Sequence, residues 1–276
     1  DLPGVEAAQV AASALEMLLD VGLDDSEFKA LSRYDLKRVF TLLSKHRDEI
    51  GLQRVVTLEW HLFPLVGLKD DAPTLHRAVV EDPRFFVELL TALPGFENRK
   101  SDNTSRQTEE QRRAFSLRAY RVLDTCGRCP GVTEDRRVDA SALKSWVDVA
   151  REQLASLGQL KRGDLRIGEL LSHAPPASDG APLHEAVRDL IEELQSDEID
   201  RGIWNGICKS RGVTMRGLTD GGKMEWELVR AYQEYAQQAR GWPRTRRLFN
   251  QLADFYEKKA RREDAEAELI QQGFDW

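Results

Sequence analysis

The sequence predicts an all-α fold of helical hairpins packed as a repeat-like array (HEAT- or tetratricopeptide-like) or a bundle, and three observations predict it. Leu, Ala, Glu and Arg dominate, while β-branched residues are sparse outside short runs such as residues 55–57. Apolar residues recur at three- and four-residue spacing along most of the chain. Ser, Thr, Asp, Gly and Pro stand where such helices would start and stop. With 276 residues, 41% of them hydrophobic, the chain can bury a sizeable core.

The elements follow in order. Residues 5–20 carry a stripe of Val10, Ala14, Met17 and Leu18, with Gly22 as a stop. Leu36, Val39, Phe40 and Leu43 mark a helix over 34–46, and further helices are expected over 52–66, 74–81 and 83–93. Residues 97–109 contain no apolar side chain and are rich in Ser, Thr, Asn and charge, so they are expected to link an N-terminal helical subdomain (1–96) to a C-terminal one (110–276).

Thr108 and Gln111 form a capping box that opens a helix carrying Phe115, Ala119, Val122 and Cys126. Asp139 is the expected N-cap and Gly158 the C-cap of the next helix, whose buried face is Leu143, Trp146, Val147, Ala150 and Leu154. Helices over 163–173 and 183–195 flank a loop, APPASDGAP, that its prolines enforce. Near the C-terminus, Asp220 or Thr219 can cap a helix burying Met224, Leu228, Ala231, Tyr232, Tyr235 and Ala239. Pro243 suits the first turn of a last helix burying Leu248, Phe249, Leu252, Ala253, Tyr256 and Ala260.

Composition narrows the function classes. A net charge of −7 disfavours a dedicated nucleic-acid binder, although residues 240–262 concentrate eight basic residues against two acidic ones. No apolar run reaches the roughly 18 residues that span a bilayer, so no membrane association is expected. Three cysteines are too few for a disulfide framework and point to a reducing cytoplasm. A first residue of Asp rather than Met suggests a piece of something larger.

Catalytic motifs are scarce. Cys126 and Cys129 supply half of a zinc site at most, and a helix end in a tight turn explains them better. His61, between Trp60 and Leu62, reads as a packing histidine, and carboxylate pairs such as Asp70 with Asp71 or Glu192 with Glu193 read as solvated surface. Gly217, Gly222 and Lys223 match the glycine and lysine spacing of a phosphate-binding loop, but Met224 replaces the hydroxyl that would hold magnesium, and no strand precedes the loop. No metal or cofactor is therefore expected.

A milder possibility survives. Free N–H groups at the start of the helix after Gly222 favour an anion, and Arg211, Arg216 and Lys223 are close in sequence. The alternative is that these arginines bind the protein's own carboxylates. Arg244 and Arg247 are expected on an outward basic face of the last helix.

The order of segments DPRFFVELL, AYRVLDTCGRCPG, VDASALKSWVDVAR, RGVTMRGLTDGGKMEWELVRAY and WPRTRRLFNQLADFYEKKARREDAEAE resembles the C-terminal helical region of large multidomain bacterial proteins. Many of these are uncharacterised, and some look like ATPase-coupled defence proteins. The resemblance covers roughly residues 80–270 and implies a recognition or scaffolding segment attached to an effector. It assigns no role to any single residue. The expected function is a non-catalytic scaffold whose partner is a protein or other domains of the same larger protein. Arg211, Arg216, Asp220, Lys223, Arg244 and Arg247 are its candidate binding residues. The alternatives are a nucleic-acid-binding module using the basic C-terminal helices, and a phosphate- or nucleotide-binding enzyme segment at 217–223.

Overall fold

The computed structural model describes residues 4–21, 32–66, 71–94, 108–212, 217 and 219–272. Among them every regular element is a helix, and the one β-type pairing is an isolated antiparallel bridge between Val132 and Val138. The all-α prediction holds. Two compact units divide the chain: unit 1 comprises Asp1–Gly131 and Ser145–Gly163, unit 2 comprises Val132–Lys144 and Asp164–Trp276. The stretch 97–109, expected as a linker, lies almost wholly outside the described residues, and the helix that follows it belongs to unit 1.

Unit 1 is built from α1 (Gly4–Val21), α2 (Arg33–Lys45), the short α3 (Arg47–Ile50), α4 (Leu52–Val66), α5 (Pro73–Glu81), α6 (Pro83–Thr91) and α7 (Glu109–Thr125). The stripe expected on α1 is corrected: Ala8, Ala12 and Leu15 are buried, whereas Val10 is 59% and Met17 68% exposed. At about 100° per residue the two sets lie on opposite faces, and the small alanines let α1 approach its neighbours more closely than Val and Met would. Arg54 on α4 clamps Glu16 on α1 with two 2.6 Å hydrogen bonds.

The core of unit 1 is aliphatic and aromatic, with Phe40, Phe63, Leu75, Phe86 and Leu89 fully buried. Asp71 is also fully buried, which corrects its reading as solvated surface; it accepts from Arg33 at 2.7 Å and pairs with Lys37 at 3.2 Å. Both halves of the Thr108–Gln111 capping box are made, at 3.2 and 3.0 Å.

Helix α8 (Ala140–Ser156) starts on the predicted Asp139 cap, whose Oδ1 accepts from the amides of Ser141 and Ala142 at 2.9 Å. It ends as predicted at Gly158, where φ is +68° and the amides of Gly158 and Gln159 bond back to Ala155 and Leu154.

Unit 2 contains α9 (Leu160–Leu171, from Asp164 onward), α10 (Glu185–Leu194), α11 (Asp197–Ser210), α12 (Lys223–Gln238), a 3-10 turn (Ala239–Gly241) and α13 (Pro243–Gln271). Helices α9 and α11 touch backbone to backbone: a Cβ on Gly202 would lie 2.1 Å from the Leu165 carbonyl oxygen, and one on Gly168 would lie 2.2 Å from that of Ile199. The proline-rich loop before α10 is held by the fully buried Arg188, which donates to both carboxylate oxygens of Asp179 at 2.6 and 2.9 Å.

The long α13 buries all six residues predicted for it. It packs against α12, with Tyr232 stacked on Tyr256 at 5.7 Å between ring centroids. On α12 the buried face is shifted from the predicted one: Glu225, Val229, Tyr232 and Ala236 are buried, while Met224 is 39% exposed. The shift follows from the helix's seating on α13 at Gly222.

Candidate functional site

Arg211 follows the last turn of α11 and points inward. Its guanidinium lies 3.0 Å from Glu225 and 5.3 Å from the Tyr256 ring centroid, and only 17% of its side chain is exposed. Glu225, fully buried, also receives Lys259 at 3.4 Å. Burial and neighbouring Cys208 push the Tyr256 phenol up to about 12, so the cluster stays a neutral ring pair beside a compensated ion pair at neutral pH. Arg216 lies outside the described residues.

The helix N-terminus that could have received an anion already holds one. The Gly222 amide donates to Asp264 Oδ1 at 2.7 Å, and the Trp226 indole donates to Asp264 Oδ2 at 2.8 Å. Together the two donors hold the Asp264 carboxyl below the usual carboxylate range. Neither Asp220 nor Thr219 is the N-cap of α12, which is Gly222; Asp220 instead accepts from the Gly217 amide at 2.7 Å and closes the turn. A Cβ on Gly222 would sit 2.4 Å from the Ala260 carbonyl oxygen, so glycine is what lets this terminus reach α13. Lys223 is exposed on the first turn.

Arg244 is corrected from an outward to an inward position. Only 16% of its side chain is exposed, and it reaches Asp197 and Asp200 of α11 at 2.7 Å each. Arg247 meets the same carboxylates at 3.5 and 3.2 Å but keeps 53% of its side chain exposed. A helical wheel could not place Arg244, because its partners belong to another helix.

Arg247 lines two open grooves. One of about 480 Å³ runs between α11 and α13 and is bordered by Asp197, Asp200, Arg201, Trp204 and Gln251. The other, of about 460 Å³, continues along α13 past Arg240, Arg246, Asn250 and Asp254. Trp204 meets Phe255 edge-on at 5.1 Å, and Phe255 is 38% exposed.

Sequence reasoning missed the residues that fill the helix N-termini. Glu192, read as surface, accepts from the amides of Arg244 and Thr245 at 2.8 and 3.0 Å and so caps α13. Glu59 on α4 does the same for α5, accepting from Leu75 at 2.6 Å and Thr74 at 3.2 Å. Burial pushes Glu59 up to about 7 in spite of these two bonds. Three helices thus start on carboxylates borrowed from elsewhere in the chain, and no local pattern announces such a cap.

No known family, curated protein or solved structure matches this chain.

Proposed function

We propose that the chain is a non-catalytic recognition module that binds a protein partner, or another domain of the same larger protein, through the grooves along α11 and α13. The observation that carries this reading is the groove bordered by Trp204, Arg201 and Arg247 with Asp197 and Asp200 among them. Tryptophan and arginine are among the side chains that most often dominate protein interfaces. Carboxylates interleaved with the arginines favour a surface of mixed charge and repel a phosphate backbone, which weighs against the nucleic-acid alternative. Against the phosphate-loop alternative stands Asp264, which occupies the place a ligand anion would take at the start of α12. Among the candidate residues, Arg247 lies in the grooves, whereas Arg211 and Arg244 serve the interior.

The test replaces Gln251 with a photo-crosslinking amino acid and compares Trp204→Ala and Arg247→Glu backgrounds in cells. A defined protein adduct that falls about tenfold in both backgrounds, with thermal stability retained, is expected. Adducts insensitive to both substitutions, or salt-sensitive retention of nucleic acid at this face, would overturn the proposal.

A further inference from the structure

Unit 1 holds a guanidinium that the fold draws partly out of water with no carboxylate among the described residues to meet it. Arg118, half-buried on α7, lies 5.3 Å from the centroid of the Trp60 ring on α4, and Phe115, one turn earlier on α7, packs on the same indole at 5.0 Å. Its Nε is buried and has no hydrogen-bond partner. Burial lowers its pKa from the ordinary guanidinium value. His61, adjacent to Trp60 in sequence and exposed, is held below the usual imidazole range by partial burial and by the Arg118 charge.

Other arginines drawn from solvent are treated differently by this fold. Arg54 meets Glu16, Arg188 meets Asp179, Arg211 meets Glu225 and Arg244 meets Asp200. A desolvated charge left unanswered costs stability, and stacking on an indole offsets only part of that cost. The Trp60 platform therefore does not account for Arg118 by itself.

We propose that Arg118, His61 and the Trp60 ring form a binding site for a small ligand bearing an oxyanion, either phosphate or carboxylate, which supplies the missing counter-charge. The two Nη groups at the end of the guanidinium offer paired N–H donors for two oxygens of such a group while Nε stays buried, and the neutral His61 ring can donate its one N–H. Trp60 and Phe115 give the body of the ligand an apolar wall. This site lies in unit 1 and does not depend on the reading of the grooves in unit 2.

The experiment follows the Trp60 indole N–H and the His61 ring by NMR while inorganic phosphate, and separately acetate, is added at constant ionic strength. A saturable shift with at least one anion is expected, and the tighter of the two identifies the ligand class. Arg118→Gln should weaken it about tenfold or more, while Arg113→Gln, an exposed arginine on the same helix, should not. Arg118→Lys, which keeps the charge and loses the fork, and His61→Gln provide folded variants should Arg118→Gln fail to fold; each should bind several-fold more weakly. Non-saturating shifts with both anions, or unchanged affinity in the Arg118 and His61 variants, would overturn the proposal.

Discussion

Gly222 and Ala260 lie in backbone contact: a Cβ at residue 222 would approach the Ala260 Cα to 2.6 Å and its carbonyl oxygen to 2.4 Å. Neither neighbour is the end of a flexible side chain, so nothing can swing aside. Gly222→Ala is therefore expected to destabilise unit 2 by about 3 kcal/mol, the upper part of the range for overpacking. Gly241→Ala, where a Cβ would meet nothing within 4 Å, is the matched control and should be close to neutral. Urea unfolding of both variants measures the difference, and equal midpoints would show that α12 can slide on α13.

The same terminus depends on Asp264. Asp264→Ala should cost about 1 kcal/mol, as other N-cap deletions do, and should speed amide exchange in the first turn of α12. Asp264→Asn keeps an acceptor and should lose less. Since the carboxyl is held low in the folded state, its contribution is present above the ordinary carboxylate pKa and is lost as pH falls through the lowered value. Wild type and Asp264→Ala should thus converge in stability on the acid side, and a difference that persists at the lowest pH would contradict the charged cap.

Glu59 has the opposite sign. Its folded-state value, raised to about 7, means that the neutral acid is the better-tolerated form inside unit 1. The contribution is full below the ordinary carboxylate pKa and disappears as pH rises through about 7. Unfolding free energy should fall by roughly 2 kcal/mol between mildly acidic and mildly alkaline pH, and Glu59→Gln should remove most of that slope. An unchanged slope in Glu59→Gln would assign the pH dependence to other groups.

What could be read in advance was local. The Thr108–Gln111 box, the Asp139 cap and Gly158 each pair with partners within four residues, and the α13 stripe recurs at helical spacing along residues 248–260, so one segment suffices to specify them. What could not be read was tertiary. Asp264 stands 42 residues from the amide it caps, and Glu192 stands 52 and 53 residues from its two. Met224 reads as core because it is apolar, yet the buried residue of that first turn is Glu225, whose charge meets Arg211 and Lys259. For the same reason the candidate arginines were identified by type but not by direction.

The borrowed cap also imposes an order in time. During synthesis, the start of α12 leaves the ribosome 42 residues before Asp264 does. At typical elongation rates that interval is about 2 to 8 seconds. Through it the first turn of α12 lacks its Asp264 cap, although Arg211, already synthesised, is in place for Glu225. The cap of α12 is therefore supplied from the C-terminal side, after most of α13 has been made.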